Sequence, residues 1–225
     1  MGETKRLVFL GAGDAFLEIY DLIQDINDYY QDIHYEVIAI LDDDENKQGT
    51  IMEGVKVVGK LSAARDFPDD VSFVFGIGSR FTRKKRREII ESLGISRERF
   101  VTLVHPSAKV YRSTNIGHGC IIHTGAVVGA VSKLKDFVIV TYNSVIGAHT
   151  VVEDFAMIAS SVTVLNHVHI AEGAFLGVGV CVADGVKIGK YAVIGMTSFV
   201  ARNVKHGELV LGVPSSRHLQ ADDFF

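Results

Sequence analysis

Aliphatic residues recur at every sixth position in the second half of the chain, and this spacing restricts the fold more than any other feature. A period of six matches neither the 3.6 residues of an α-helical turn nor the period of two of a strand. It is typical of a hexapeptide β-helix, in which three hexads form one triangular coil. All seventeen positions are Val, Ile or Leu, namely Val104, Val110, Ile116, Ile122, Val128, Leu134, Val140, Ile146, Val152, Ile158, Val164, Ile170, Leu176, Val182, Ile188, Ile194 and Val200.

The period also predicts how the coils stack. Each coil pairs with the next at about 4.8 Å, so residues 18 apart lie directly above one another and the aliphatic side chains form a continuous core. Small or β-branched residues such as Ala108 and Ala126 follow four residues after the aliphatic positions. We therefore predict a left-handed parallel β-helix over residues 101–206. In the tail at 207–225, Gly212-Val213-Pro214 predicts a turn, and the tail is expected to cover the open end of the helix.

Residues 1–100 show a different pattern, in which strands and helices alternate. The pattern predicts strands at Arg6–Leu10, Tyr35–Leu41 and Val71–Phe75 and an amphipathic helix at Ala15–Tyr30. Such alternation is typical of a parallel sheet with helices on its faces. We therefore expect a Rossmann-like α/β domain ahead of the β-helix.

Composition narrows the choice of partners. The formal net charge is -4 and no long Lys/Arg run is present, which disfavours nucleic acid and anionic membranes. The one basic cluster, Arg80–Arg87, is predicted to be a solvated helix face. No apolar run approaches the ~20 residues that cross a bilayer, the N-terminus does not resemble a signal peptide, and Cys120 and Cys181 do not suggest a disulfide framework. We expect a cytoplasmic protein with neither nucleic acid nor membrane as partner.

Gly11-Ala12-Gly13 lies between the first predicted strand and the helix that follows it. Backbone N–H groups at such a turn can approach a phosphate at the N-terminus of the helix. Phe16 stands where the dinucleotide fingerprint has its third glycine, and this departure disfavours NAD as the ligand.

Two further motifs end predicted strands of the same domain. Asp42, Asp43 and Asp44 follow the second strand, where carboxylates either accept hydrogen bonds from a ribose or a base, or form a solvated acidic turn. Phe75-Gly76-Ile77-Gly78 places bare backbone at the same sheet edge. Gly78 is accordingly a candidate contact for a sugar nucleotide, although a tight turn would also explain it.

These motifs give nearly the whole chain a resemblance to the sugar O- and N-acyltransferases of the sialic-acid acetyltransferase type, including the bacillosamine-pathway UDP-aminosugar acetyltransferases. The resemblance implies a homotrimer with active sites in the clefts between neighbouring β-helices. It also implies acetyl-CoA as co-substrate, lying along the cleft, and an N-terminal domain that holds a nucleotide sugar. The motifs that carry it are Leu7–Gly13, Leu41–Asp44, Phe75–Gly78, His105-Pro106, the hexads and Gly212-Val213-Pro214.

The implied reaction is acetyl transfer to an amino or hydroxyl group of a sugar, in surface-glycan biosynthesis. The family analogy assigns Asp42 and Asp43 to uracil and ribose contacts, and the substrate-binding candidates are Gly11, Gly13, Asp42, Asp43 and Gly78. The acetyl-CoA positions carried over from the family are Asn166, Gly177, Val178, Gly195 and Met196. Gly177 and Gly195 are 18 residues apart. An alternative explanation for them is that the turn of the coil favours glycine at this position of the repeat.

The chemistry requires a general base, and histidine suits this task because its unperturbed pKa lies near neutrality. In the family the base lies in a Gly-His-Asp or Glu-His-Asp/Glu stretch, and here Ala148 stands at the histidine position, followed by His149. Either His149 has taken over as the base, which we favour, or the activity is lost or altered. The usual acidic neighbour is absent too. His167 is the second candidate, as a substrate contact or a replacement base.

Two alternative functions stay open. The γ-class carbonic anhydrases use the same fold, and His118 and His123 have their H-x-x-x-x-H spacing, but a third ligand has no match and the N-terminal domain would be unexplained. A catalytically altered β-helix that serves as a nucleotide-sugar-binding or assembly module is suggested by Ala148. Retained binding of acetyl-CoA would argue against this second alternative.

Overall fold

The structure is a computed structural model that describes residues 3–78, 82–212 and 217–220. The chain divides between Pro106 and Ser107 into two compact units. The boundary therefore lies slightly beyond the predicted residue 100, because the chain enters its first hexad before it leaves the first unit. The described residues beyond 207 belong to the second unit and do not separate from it.

The first unit contains a five-stranded sheet. Its strands are β1 (Glu3–Leu10), β2 (Ile33–Leu41), β3 (Ile51–Met52), β4 (Val55–Gly59) and β5 (Ser72–Phe75), arranged in the order β3-β4-β2-β1-β5. Strands β1, β2, β4 and β5 pair in parallel, whereas β3 pairs antiparallel with β4. The predicted Rossmann-like sheet is confirmed, but it is mixed rather than wholly parallel, since the short β3–β4 hairpin was not predicted.

Two helices accompany this sheet, α1 (Asp14–Tyr29) and α2 (Arg86–Leu93), with 3-10 turns at Glu45–Lys47, Leu61–Asp66 and Arg97–Arg99. Helix α1 buries one apolar stripe, spaced by three or four residues, against the sheet. Phe16 belongs to this stripe, and its ring packs edge-on against Phe9 at a centroid distance of 4.9 Å. The residue that replaces the third fingerprint glycine is thus a core residue. Among the described residues, no helix combines the length and the apolarity that a bilayer crossing requires.

The prediction of a solvated helix face holds only in part for the basic cluster, since Lys84 and Lys85 are exposed but precede the helix, and two of the arginines are buried. Helix α2 begins only at Arg86, which is 0% exposed, and Arg83 is 4% exposed. Arg86 Nε donates to the Ile77 carbonyl at 3.0 Å, and its guanidinium lies 5.3 Å from the centre of the Phe75 ring. Carbonyl groups beyond the end of β5 require donors, and an arginine can supply them from within the core. Arg80 lies outside the described residues.

The hexapeptide β-helix is confirmed, since every predicted aliphatic position is the second residue of a two-residue strand. From Ile122 to Val200 each of these residues is buried. The strands are β6 (Leu103–Val104), β7 (Lys109–Val110), β8 (Asn115–Ile116), β9 (Ile121–Ile122), β10 (Val127–Val128), β11 (Lys133–Leu134), β12 (Ile139–Val140), β13 (Val145–Ile146), β14 (Val151–Val152), β15 (Met157–Ile158), β16 (Thr163–Val164), β17 (His169–Ile170), β18 (Phe175–Leu176), β19 (Cys181–Val182), β20 (Lys187–Ile188), β21 (Val193–Ile194) and β22 (Phe199–Val200).

Three parallel sheets form the faces of the prism. The first face contains β7, β10, β13, β16, β19 and β22, the second contains β8, β11, β14, β17 and β20, and the third contains β9, β12, β15, β18 and β21. We call the turn from the first face to the second the first corner, and the second and third corners follow in chain order. Buried hydroxyl groups form hydrogen bonds between adjacent coils. The Ser132 hydroxyl, for example, donates to the Gly147 carbonyl at 2.9 Å and accepts from the Thr150 N–H at 3.1 Å.

The C-terminal segment extends the third face. Strand β23 (Glu208–Leu211) pairs in parallel with β21, and β24 (Arg217–Gln220) pairs antiparallel with β23. The six-residue period is therefore lost here while the sheet continues. Val213 and Pro214 of the predicted turn lie outside the described residues.

Candidate functional site

A cavity of about 420 Å³ lies at the carboxyl ends of β1, β2 and β5 in the first unit. This edge of a parallel sheet is the usual place for a ligand, and the volume is in the range of small-molecule sites. Lys47 and Thr82 contribute polar groups to its wall. The structure brings together here all five residues that the sequence predicts to bind a nucleotide sugar, namely Gly11, Gly13, Asp42, Asp43 and Gly78.

Asp42 holds the glycine loop in place, a role that the sequence did not reveal. Its Oδ2 accepts the Ala12 N–H at 2.6 Å and lies 3.3 Å from Lys47 Nζ, while Oδ1 accepts the Asp44 N–H at 2.9 Å. Burial raises the pKa of Asp42, but the two backbone hydrogen bonds and the Lys47 charge outweigh it, and the pKa lies below its ordinary value. The side chain is only 15% exposed, so a solvated acidic turn does not describe Asp42.

The other residues of the cavity wall divide into tightly packed and open positions. Gly11 has a left-handed backbone (φ 107°), and a Cβ there would lie 2.7 Å from Ile77 Cγ1. Asp43 accepts the Leu61 N–H at 2.9 Å. A Cβ on Gly13, by contrast, would meet nothing within 4 Å. The space for an anion is therefore at Gly13, which immediately precedes α1.

Asp42→Asn is expected to lower the free energy of unfolding by about 1–2 kcal/mol at pH 7, because a carboxylate that accepts several hydrogen bonds is replaced by an amide. The native pKa is lowered, so the contribution of the carboxylate is complete above the unfolded-state pKa and is lost as pH falls through the native pKa. Urea unfolding between pH 6 and pH 3 tests this expectation. The wild type should lose stability below about pH 4 more steeply than Asp42→Asn does.

Asp28→Asn, which changes an exposed carboxylate on α1, is the matched control and should leave the acid slope unchanged. Equal slopes in the wild type and in Asp42→Asn would show that Asp42 is not held as its contacts indicate.

His149 and His167 form a stacked pair at the first corner of the β-helix. Their ring centroids are 4.9 Å apart and the planes differ by 8°. Both side chains are exposed, and both backbones are left-handed (φ 57° and 58°). Within the described residues no hydrogen bond reaches either imidazole, which agrees with the missing acidic neighbour in the sequence. The rings are oriented by stacking and by the backbone, not by a carboxylate.

The segment before His149 is tightly held by the next coil. Asn166 Oδ1 accepts the Ala148 N–H at 2.9 Å. A Cβ on Gly147 would lie 2.5 Å from the carbonyl carbon of Leu165. Asn166, which the sequence predicts as a cofactor contact, therefore positions the main chain that carries His149.

The other predicted cofactor residues lie at the third corner, away from the histidines. A Cβ on Gly177 would be 2.9 Å from the Met196 nitrogen, and one on Gly195 would be 2.3 Å from Leu211 Cδ2. Close backbone packing between coils is thus sufficient to explain Gly177, whereas the atom nearest to Gly195 is the end of a leucine side chain. Val178 and Met196 are 46% and 69% exposed. One β-helix does not bring these residues together with His149, His167 and Asn166.

The two histidines of the zinc alternative also lie apart. His118 is exposed at the second corner, whereas His123 is 4% exposed and packs on Tyr142 with a ring centroid distance of 4.8 Å. The part of the chain that the structure describes contains no group of three or more His, Cys, Asp or Glu side chains placed to hold a metal.

The sequence analysis missed a charged cluster on the second face. His169 Nε2 lies 3.1 Å from Glu153 Oε1, and Lys135 forms an ion pair with the same carboxylate. Burial raises the pKa of Glu153, but the hydrogen bonds from Lys135 and His169 lower it by more. The pKa of Glu153 therefore lies below its ordinary value. The spacing could have predicted part of this cluster, because Lys135 and Glu153 are 18 residues apart and therefore lie one above the other on adjacent coils. His169 and Glu153 thus form a carboxylate–imidazole pair, whereas His149 has no such partner within the described residues.

Comparison with known proteins shows which proteins these features resemble. Residues 6–91 match the PglD N-terminal domain. A UDP-N-acetylbacillosamine N-acetyltransferase from Bacillus subtilis is 42% identical over 53 residues, which are 24% of this chain and 23% of that protein. The matched segment thus spans about a quarter of this curated relative.

Solved structures extend the likeness to the β-helix. The acetyltransferase domain of PglB from Neisseria gonorrhoeae, in complex with acetyl coenzyme A, is 26% identical with a TM-score of 0.79, covering 95% of this chain and 99% of that one. PerB from Caulobacter crescentus, in complex with CoA and GDP-perosamine, is 26% identical with a TM-score of 0.77, covering 93% and 95%. The chain is therefore similar in its first unit to the PglD N-terminal domain, and over nearly its whole length to the solved structures of these two proteins.

Proposed function

We propose that this protein transfers the acetyl group of acetyl-CoA to an amino group of a nucleotide-linked sugar. Transfer to a hydroxyl group is the alternative that the experiment below tests. The observation that carries the proposal is the cavity that joins Gly11, Gly13, Asp42, Asp43 and Gly78 in the unit with the PglD-type match. Its open position at Gly13 suits a phosphate, and its carboxylates suit ribose or base donors. The Caulobacter relative binds CoA and GDP-perosamine.

The acetyl-CoA site belongs to the third corner in this proposal. Val178 and Met196, which follow Gly177 and Gly195 in the chain, are exposed and offer an apolar surface, which suits a long and partly apolar pantetheine arm. Acetyl-CoA supplies an activated acyl group as its thioester.

His149 acts as the general base. It accepts the proton of the acceptor N–H or O–H while the acceptor atom attacks the acyl carbon, and the proton finally resides on the CoA sulfur as that bond breaks. His167 holds the His149 ring by stacking at 4.9 Å. Asn166 fixes the main chain in front of it through the Ala148 N–H. These contacts replace the acidic neighbour that usually orients the base.

A homotrimer is part of the proposal, because the candidate catalytic and cofactor residues occupy different corners of one β-helix. A second copy can place its third corner against the first corner of its neighbour. The outward side chains of the first face, which joins these corners, include Val145 and Phe199, 38% and 37% exposed. We assign the reaction to surface-glycan biosynthesis and to the cytoplasm, where free thiols such as Cys120 and Cys181 persist.

Release of free CoA thiol from acetyl-CoA tests the function directly. The acceptors are UDP-, dTDP- and GDP-linked 4-aminosugars, their 4-hydroxy counterparts and free sialic acids. Turnover with one aminosugar nucleotide, and none with its hydroxyl counterpart, is the expected result. Turnover confined to hydroxyl acceptors would change the reaction to O-acetylation, and no turnover with any acceptor would contradict the proposal.

Ala148 favours one competing function, a β-helix that binds a nucleotide sugar without catalysis. A thermal-shift measurement with acetyl-CoA distinguishes the two, since a ligand at 100 times its Kd adds about 2.7 kcal/mol to the stability. Stabilisation by the nucleotide sugar but not by acetyl-CoA would support the binding module.

A further inference from the structure

We propose that Val131 is a specificity-determining residue, whose isopropyl group lies beside His149 and packs on a nonpolar C–H edge of the acceptor sugar. The inference rests on the proposed function, since it requires an acceptor at His149. It is carried by the position, the exposure and the backbone conformation of Val131.

The position follows from the coil register. Val131, His149 and His167 occupy the same place at the first corner in three successive coils, since β10 pairs with β13 and β13 with β16 without a shift. Their φ angles are 62°, 57° and 58°, so their side chains leave the backbone in the same direction. The His149 N–H donates to the Ala130 carbonyl at 3.0 Å. Val131 therefore flanks the His149 ring on the side opposite His167.

The backbone conformation is unusual for this residue type. A positive φ recurs at this place of nearly every hexad turn, as at Asn143, Ser161 and Thr197, and a β-branched residue is strained there. Phe137 and Phe155 share the conformation at the second corner, but they are buried and stack on each other at 5.0 Å, so packing compensates the strain. Val131 is 49% exposed. Its own packing does not explain why valine stands there.

The chemistry of the surroundings indicates what Val131 contacts. Val145 on β13 and Leu165 at the first corner are 38% and 43% exposed, so the strand and the corner that carry the histidine pair present exposed apolar side chains. A C–H or methyl group of the acceptor fits against this surface. A hydroxyl in the same place would lose its hydrogen bonds to water without replacement. We expect discrimination of about 10- to 100-fold in kcat/KM between two such acceptors.

The test compares Val131→Thr with the wild type on two nucleotide-linked aminosugars that differ only by a methyl or a hydroxymethyl group on the ring. Threonine keeps the β-branch and the shape but adds a hydroxyl. The ratio of kcat/KM for the methyl sugar to kcat/KM for the hydroxymethyl sugar is expected to fall by about 10-fold. The change should come from a higher KM for the methyl sugar, while kcat on that sugar stays nearly the same. An unchanged ratio would overturn the proposal.

A second variant, Val131→Asn, separates specificity from strain. Asparagine tolerates the left-handed conformation, so Tm should rise by about 2–4 °C while the preference for the methyl sugar falls. A rise in Tm with an unchanged preference would show a strained turn without a role in recognition. Ser161→Gly, at an exposed left-handed position of the third corner (φ 58°), is the control and should leave the preference intact. Failure of the wild type to turn over any acceptor would instead contradict the proposed function, and this inference with it.

Discussion

His149→Ala is expected to lower the rate of CoA release at least ~100-fold, the loss that follows from removal of a general base. The decrease should appear in kcat, with KM for acetyl-CoA nearly unchanged, because the role proposed for the imidazole concerns the acceptor proton and the proposed acetyl-CoA site is at the third corner. His34→Ala is the matched control, since it removes an exposed imidazole from β2 in the other unit. That variant should retain wild-type turnover.

Three further variants locate the base if His149→Ala remains active. Loss of turnover only in His167→Ala would transfer the role to His167. Loss in both His169→Gln and Glu153→Gln would assign it to the carboxylate–imidazole pair on the second face. In the converse experiment, Ala148→His in the His149→Ala background restores the histidine at the usual family position. A gain of activity there would show that the two neighbouring positions reach the same reacting atoms.

Gly147→Ala is expected to destabilise the β-helix by about 3 kcal/mol or more. The new Cβ would lie 2.5 Å from the Leu165 carbonyl carbon and 2.8 Å from the Asn166 nitrogen. These are backbone atoms, which cannot rotate away, so the two coils must separate. The separation should also weaken the bond from the Ala148 N–H to Asn166 and disturb the histidine stack. Equilibrium urea unfolding measures the stability, and CoA release measures the effect on the site.

Gly185→Ala is the matched control for this prediction. Gly185 has a left-handed backbone (φ 70°), but a Cβ there would meet nothing within 4 Å. Its cost is therefore the conformational one alone, about 1 kcal/mol. If Gly147→Ala were no more destabilising than Gly185→Ala, the coils would not be packed as closely as the structure indicates.

The sequence by itself determined the elements whose cause is local and periodic. The aliphatic hexads predicted each strand of the β-helix, because a side chain at every sixth residue can point inward only in a triangular coil. The same period predicted that His149 and His167 would lie on adjacent coils. The glycine and aspartate motifs of the first unit were predicted to meet at one sheet edge, since the carboxyl ends of parallel strands share it.

Only the tertiary structure decided which polar groups these motifs engage. Asp42 binds the Ala12 N–H, 30 residues away, although the sequence suggested a ligand contact or an acidic turn. Arg86 is buried against the Ile77 carbonyl, although the sequence predicted a solvated face. Such contacts depend on which backbone groups the fold leaves without partners, and no local pattern records this. The prism also separates Asn166 and His149 from Gly177 and Met196. Each hexad ends at a different corner from the hexad before it, so these residues lie at the first and the third corner. A linear motif orders residues along the chain, whereas catalysis depends on which of them share a corner.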